Sequence, residues 1–197
     1  MKRWIAGGLL LPRCAPRNNK TGEHRFMKLL FASDIHGSAY WCRRLMDCIA
    51  AEAPDKVVLL GDLLYHGPRN DLPRDYAPKE VLALLNSIRE QIIAVRGNCD
   101  SEVDQMVLEF PLMADYFPLL LEDGRLLYVT HGHLWNTDNP PPLRPGDLLM
   151  NGHFHLNADR QEAGYRYLNP GSVSLPKDGQ PNSYMVYQDG EFLLKLL

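Results

Sequence analysis

No Cys-x-x-Cys pair and no regular cysteine framework occurs in this 197-residue chain, whose four cysteines are scattered at Cys14, Cys42, Cys48 and Cys99. That excludes a disulfide scaffold and a zinc ribbon, and it fits a reducing cytoplasm. No apolar run approaches the roughly 18 residues needed to cross a bilayer, so no membrane contact is expected. Long basic runs are missing as well, and the formal net charge is −3. Nothing therefore offers duplex nucleic acid an extended surface, although a small phosphorylated substrate stays open. Internal repeats and low-complexity segments are absent from the sequence. What is present is 45% hydrophobic and 23% charged residues, a balance that suits one compact domain burying about two thirds of its unfolded surface.

Residues 1–26 differ from the rest. They hold six basic residues (Lys2, Arg3, Arg13, Arg17, Lys20 and Arg25) against one acid, Glu23, around a short apolar stretch from Trp4 to Leu11. The basic start and short apolar run have the outline of a signal peptide, but Pro12, Arg13 and Arg17 stand where a small-residue cleavage site belongs. The better reading is a disordered or artefactual extension, with a single domain over 27–197. Setting the extension aside leaves 15 Lys and Arg against 23 Asp and Glu, a net charge of −8.

Apolar runs of strand length recur at 28–33 (KLLFAS), 56–60 (KVVLL), 91–95 (QIIAV), 125–130 (RLLYVT) and 146–151 (GDLLMN). Between the first three lie helix-period segments, Tyr40 to Ala53 with Leu45, Ile49 and Ala53 on one face, and Pro78 to Arg89 with Val81, Leu84, Leu85 and Ile88. Strand alternating with helix implies parallel strands and crossover helices. The last third, with runs at 165–169, 183–187 and 191–196 separated by turn residues, reads as an antiparallel meander. The fold class expected is α/β, with two mixed sheets packed as a sandwich flanked by helices.

Each of the first five runs ends in a polar turn: Asp34-Ile35-His36, Gly61-Asp62, Gly97-Asn98, His131-Gly132-His133 and Gly152-His153-Phe154-His155. Sites in parallel sheets form at the carboxyl ends of strands, so all five clusters should share one rim. A single histidine at a strand end commonly caps a backbone carbonyl. Five clusters in register are another matter, because carboxylates and imidazoles gathered in one cleft need cations to offset their desolvation. Five of the seven histidines sit in these turns. Oxygen and imidazole donors together suit Mn, Fe, Zn or Ni better than Mg.

The ordered series Asp-x-His, Gly-Asp, Gly-Asn, His-Gly-His and Gly-His-x-His resembles the calcineurin-like metallophosphoesterase family, and the resemblance covers essentially all of residues 28–197. HGPRN at 66–70, RGNCD at 96–100 and NPGSVS at 169–174 make it similar to the small bacterial YfcE-type phosphodiesterases of that family. The resemblance implies the metallophosphoesterase-like four-layer fold, a double β-sandwich with flanking helices. It implies two divalent metal ions, most readily Mn, one held by Asp34, His36 and His155, the other by Asn98, His131 and His153, with Asp62 bridging. Two such ions about 3.5–4 Å apart can generate a bridging hydroxide and grip the attacking and leaving oxygens of an in-line displacement. The implied activity is hydrolysis of small or activated phosphodiesters without a covalent enzyme intermediate.

Other cleft candidates carry less. His133 has no ligand role in the family pattern; it can orient a ligand or the phosphate, or simply bond the backbone. In the proline-stiffened loop 64–78, Arg69 could offer a phosphate paired hydrogen bonds, with Asn70 beside it. NPGS at 169–172 reads as a structural or cleft-lining turn. Related enzymes commonly carry Gly-Asn-His at the third turn, where the histidine is assigned to the leaving group. Here that position is Cys99, whose thiol is a poor acid for an alkoxide near neutral pH and carries no positive charge. With seven ligands implied elsewhere, Cys99 is not expected to bind metal. Two other readings stand beside the phosphodiesterase: a protein-interaction scaffold, as in the retromer subunit of the same fold, and a phosphomonoesterase. Exposed apolar strands near the C-terminus would permit a homo-oligomer.

Overall fold

A computed structural model describes residues 27–197; the expected disordered extension at 1–26 lies outside the described residues. Two five-stranded mixed sheets form the body. The first takes β1 (Leu29–Ala32), β2 (Lys56–Leu59), β3 (Ile92–Ala94), β9 (Ser183–Gln188) and β10 (Glu191–Leu196) in the order β10-β9-β1-β2-β3. The second takes β4 (Tyr116–Leu120), β5 (Leu126–Thr130), β6 (Leu148–Met150), β7 (Asn157–Gln161) and β8 (Arg166–Pro170) in the order β4-β5-β6-β8-β7. The β1–β2–β3 and β5–β6–β8 pairings are parallel, as the strand–helix alternation predicts for the first set.

Side chains on successive residues of a strand point to opposite faces, and both faces of the first sheet are buried. In β1, Leu30 and Ala32 join a core with α1 (Ala39–Glu52) and α2 (Pro78–Ser87), while Leu29 and Phe31 turn to the second sheet. Val57 and Leu59 against Val58 in β2 repeat the division. Leu127 and Val129 of β5, Leu148 and Met150 of β6 and Leu168 of β8 close the inter-sheet core. This two-sided burial is why the strands read as unbroken apolar runs. The two long helices both cover the first sheet; the outer face of the second carries a smaller cluster of Leu149, Tyr165 and Tyr167 with Leu143 packed on it. Among the described residues no helix is long and apolar enough to cross a membrane.

The C-terminal meander is corrected. Only β9 and β10 pair as a hairpin; β8 belongs to the second sheet, parallel to β6 and antiparallel to β7. The chain changes sheets through 171–182, where Ser183 Oγ donates to the Pro170 carbonyl (2.7 Å) and Val173 N–H to the Ser33 carbonyl (2.9 Å). That crossing ties the end of β1 to the end of β8. It is the step that carries both sheets' polar turns to one rim.

Candidate active site

The rim expected from the sequence exists. Asp34 and His36 follow β1, Asp62 follows β2, Asn98 follows β3, His131 follows β5, and His153 and His155 follow β6. Five of these residues adopt left-handed backbone: Asp34 (φ 58°), His36 (φ 49°), Asp62 (φ 56°), His153 (φ 65°) and His155 (φ 59°). Non-glycine residues seldom do so, although Asp and His are among those that tolerate it best. Each such turn at a strand end carries its polar side chain to the rim that the two sheets share.

The turns brace one another. Asp34 N–H donates to the Gly61 carbonyl (3.1 Å) and His36 N–H to the Asp62 carbonyl (2.9 Å). Asp100, buried, accepts from the N–H groups of Asp62 (2.8 Å), Leu63 (2.9 Å) and Gly97 (2.7 Å), so a single carboxylate locks the ends of β2 and β3 together. Burial, then the charge of Asp62, pushes its pKa up to about 6 against those three bonds. Gly97 must be glycine, since a Cβ there would collide with the Asp62 carboxylate. Behind β1, the hydroxyls of Ser172 (2.9 Å) and Ser174 (3.1 Å) both donate to the Asp34 carbonyl. NPGSVS is thus a structural clamp on the backbone of Asp34.

The histidines are aimed through their outer nitrogens. Nδ1 of His36 donates to the Tyr65 carbonyl (2.9 Å), of His131 to Leu60 (2.6 Å) and of His155 to Leu175 (2.6 Å). Fixing the proton on Nδ1 leaves a lone pair on each Nε2, facing inward. His36 Nε2 and His155 Nε2 then face each other at 3.2 Å, with Asp34 Oδ1 at 3.6 and 3.3 Å respectively. That oxygen is buried and has no hydrogen-bond partner in the protein. His131 Nε2 similarly faces Asn98 Oδ1 at 3.0 Å and His153 Nδ1 at 3.2 Å. Asp62 Oδ2 stands between the groups, 3.7 Å from His36 Nε2 and 3.5 Å from His131 Nε2.

Lone pairs opposed at 3 Å in a buried pocket repel unless a cation lies among them. Without metal, a proton on Nε2 meets part of that demand, as the raised pKa values of His131 and His36 show. Burial opposes charge on His131, yet the adjacent Asp62 holds its pKa up at about 9. His36 is raised in the same way by Asp34, and Asp34 is held well below the usual carboxylate range by His155 and His36 in spite of its burial. His153, by contrast, is lowered to about 4 by burial and by the neighbouring His131. Asp34, His36 and His155 could hold one ion, and Asp34, Asp62 and His131 bring their donors equally close. The donor set fits divalent metal.

A cleft of about 400 Å³ opens over this centre, lined by Asp62, Asn98, His153 and His155 on the polar side. Arg69 and Asn70, both expected from the sequence, reach it; Asn70 also ties its own loop through Nδ2 to the His66 carbonyl (2.8 Å). Phe154 and Lys177 line it too and were not singled out by their residue type. Phe154 lies inside the Gly-His-x-His motif, which could have flagged it. Lys177 is brought in by its N–H bond to the His155 carbonyl (3.1 Å), a contact no sequence pattern announces. His133 makes no backbone bond through Nδ1, which is buried and unpartnered; its ring packs on His131 with centroids 5.4 Å apart. Burial, then the positive charge of His131, lowers its pKa.

Cys99 sits against the site. Its N–H donates to Asp62 Oδ1 (2.8 Å) and its sulfur accepts from Asn98 Nδ2 (3.3 Å). Burial, followed by the negative charge of Asp62, raises the thiol far above its ordinary pKa. The sulfur lies within ligating range of His36 and Asp62 donors, closer to the metal-binding groups than the sequence implied.

Comparison with known proteins agrees with this architecture. The family model described as the calcineurin-like phosphoesterase superfamily domain matches residues 27–189. Phosphodiesterase YfcE of Escherichia coli (strain K12) is 51% identical over 158 residues, 80% of this chain and 85% of that protein. The probable metallophosphoesterase YsnB of Bacillus subtilis (strain 168) is 27% identical over 167 residues, 81% and 83% of the two chains. The solved structure of the Escherichia coli YfcE phosphoesterase superimposes with a TM-score of 0.81 at 49% identity, covering 83% of this chain and 89% of that one. Vps29 from Entamoeba histolytica, complexed with zinc, shares the fold alone, at 19% identity and a TM-score of 0.55 over 86% and 97% of the chains.

Proposed function

Because the chain belongs to the calcineurin-like phosphoesterase superfamily, matched over 27–189, we propose that it is a metal-dependent phosphodiesterase of small or activated phosphodiesters. The carrying observation is the pair of inward-facing Nε2 atoms of His36 and His155, 3.2 Å apart beside an unpartnered Asp34 oxygen. Asp34, His36 and His155 would hold one divalent ion, Asn98, His131 and His153 a second, and Asp62 would be shared. Mn is the ion we favour; Fe, Zn and Ni suit the same mixture of carboxylate, amide and imidazole donors. Such ions supply Lewis acidity and an activated water at neutral pH.

The chain's own groups do the rest. Cys99 N–H fixes one oxygen of Asp62, so the other is presented toward His36 and His131. Asn98 keeps its NH₂ on the cleft side, where it can donate to a phosphate oxygen. Arg69 and Lys177 offer cations to the remaining oxygens, and Phe154 and Leu156 offer apolar surface to an ester arm. No side chain of ordinary acidity stands where the family carries its leaving-group histidine, because the Cys99 thiol holds its proton too tightly. Esters whose leaving group departs unprotonated are therefore favoured. The unpaired thiols of Cys42, Cys48 and Cys99 support work in a reducing cytoplasm.

Two cations lining one cleft also favour a second reading, phosphomonoester hydrolysis, since a dianion would use both Arg69 and Lys177. One experiment separates them. Elemental analysis of the purified protein, combined with a panel of aryl diesters and monoesters, should find two metal ions per chain and faster turnover of the diesters. Hydrolysis that is unaffected by complete metal removal would overturn the proposal.

A further inference from the structure

The proposed reaction gives the Cys99 thiol no step, yet its sulfur stands among metal donors. Cys99 Sγ, His36 Nε2 and a carboxylate oxygen of Asp62 all lie within 4.8 Å of one another. The sulfur is held from two sides: Asn98 Nδ2 donates to it (3.3 Å), and Gly67 approaches so closely that a Cβ there would stand 3.0 Å away. His36 Nε2 presents a lone pair, because Nδ1 donates to Tyr65. Asp34 Oδ1, 3.6 Å from that same nitrogen, is buried without a partner.

We propose that Cys99, His36 and Asp62 form a second mode of metal binding, selective for thiophilic cations such as Zn²⁺ and Cd²⁺, which holds the protein in a poorly active state. The inference rests on the metal-binding reading above and adds to it a ligand and a consequence. Mn²⁺ takes oxygen and imidazole donors and leaves a thiol aside, whereas Zn²⁺ and Cd²⁺ accept thiolate readily. Donors on tetrahedral zinc lie roughly 3.3–3.8 Å apart, and these three already lie within 4.8 Å of one another, so whatever closure a shared ion needs is at most about 1–1.5 Å. As the metal–sulfur bond forms, the S–H bond breaks and its proton leaves to solvent, with no change of oxidation state. His36 and Asp62 are then engaged with sulfur as co-ligand. A thiolate on the ion would compete there with water or substrate.

The test titrates the metal-free full chain with Cd²⁺ and, separately, with Mn²⁺. It follows the ultraviolet thiolate-to-metal charge-transfer band and measures affinity by calorimetry, in wild type, Cys99→Ser and Cys99→Ala. The expected result is a band with Cd²⁺ and none with Mn²⁺, lost in both variants together with about tenfold or more of the Cd²⁺ affinity. Zn²⁺ should then suppress turnover, relative to Mn²⁺, more in wild type than in the variants. Stoichiometric Cd²⁺ binding without a band, or a band that persists in both variants, would overturn the inference while leaving the proposed function intact. Failure of Mn²⁺ and Cd²⁺ alike to bind would overturn both together.

Discussion

Replacing Asp100 by alanine strips the acceptor from three buried backbone N–H groups, those of Asp62, Leu63 and Gly97. Each orphaned donor costs about 1–3 kcal/mol, less where water enters the space left by the carboxylate. One effect works the other way: Asp100 lies near Asp62, and its pKa is already pushed up to about 6 by burial and that charge, so removal relieves some repulsion. Weighing these, the loss should be about 3–5 kcal/mol, which for a domain of this length lowers Tm by roughly 10 °C. Asp100→Asn keeps one accepting oxygen but turns an NH₂ against a donor, so about half that loss is expected. Thermal and urea denaturation of metal-free protein measure the effect, and calorimetric Mn²⁺ affinity shows whether Asp62 and Asn98 have drifted. A destabilisation by Asp100→Ala of less than about 1 kcal/mol would refute the idea that this carboxylate holds the two strand ends.

Asp62→Ala should remove more activity than any other single change among the metal-site residues, because its carboxylate faces both donor groups; elemental analysis still finding two ions per chain, with turnover retained, would contradict the shared role. Glu52 is held down to about 2, first by Lys195 and then by Lys28, in an exchange that ties α1 to β10 and to the residue just before β1. A depressed acid stabilises above its unfolded pKa and ceases to as pH falls through the folded one. Wild type should therefore exceed Glu52→Gln by about 1–2 kcal/mol at pH 6, allowing for the partly exposed lysine. That margin should fade between pH 4.5 and pH 2, and Tm against pH measures it; a margin independent of pH would be the contrary result. Cys99→His supplies a group able to donate a proton near neutral pH, worth at most about 10²-fold here and more for poor leaving groups than for aryl esters. The close approach of Gly67 to the sulfur means the imidazole must turn into the cleft, so steady-state kinetics should also show a raised KM; no change for either ester class would sink the leaving-group assignment.

What the sequence made legible follows from burial. Most of the strands read from their apolar runs are those buried on both faces, where nearly every residue must be apolar; β10, a largely exposed edge strand, was read from its leucines all the same. β4 escaped because it is an edge strand of alternating exposure with Pro118 within it, a residue tolerated where an N–H need not join a ladder. β7, Asn157–Gln161, is the opposite edge, polar along its length and recognisable only through its pairing with β8. The false meander has a different source. Pro170-Gly171 looks the same whether the chain folds back on itself or crosses to another sheet, and only the long-range pairing of β8 with β6 decides.

The candidate site was legible because its residues end strands, and the local rule for strand ends names them one turn at a time. The bracing was not, because its joining contacts are long in sequence: Asp100 acts on Asp62 as well as on nearby Gly97, and Ser172 and Ser174 act on Asp34 across about 140 positions. Left-handed backbone at Asp34, His36, Asp62, His153 and His155 costs on the order of 1–3 kcal/mol per residue, and no local interaction in a strand-end turn offsets that. The offset comes from the neighbouring turns. Asp34 N–H bonds to the Gly61 carbonyl and His36 N–H to that of Asp62. His153 N–H in turn bonds to the Asp34 carboxylate (3.0 Å). Four of the five strained residues, Asp34, His36, Asp62 and His153, are thus linked to one another by these bonds, while His155 is held by the segment that follows β8, through Leu175 and Lys177. It follows that a substitution relaxing one turn should loosen residues on both sheets, and that the site assembles only when the two sheets have docked.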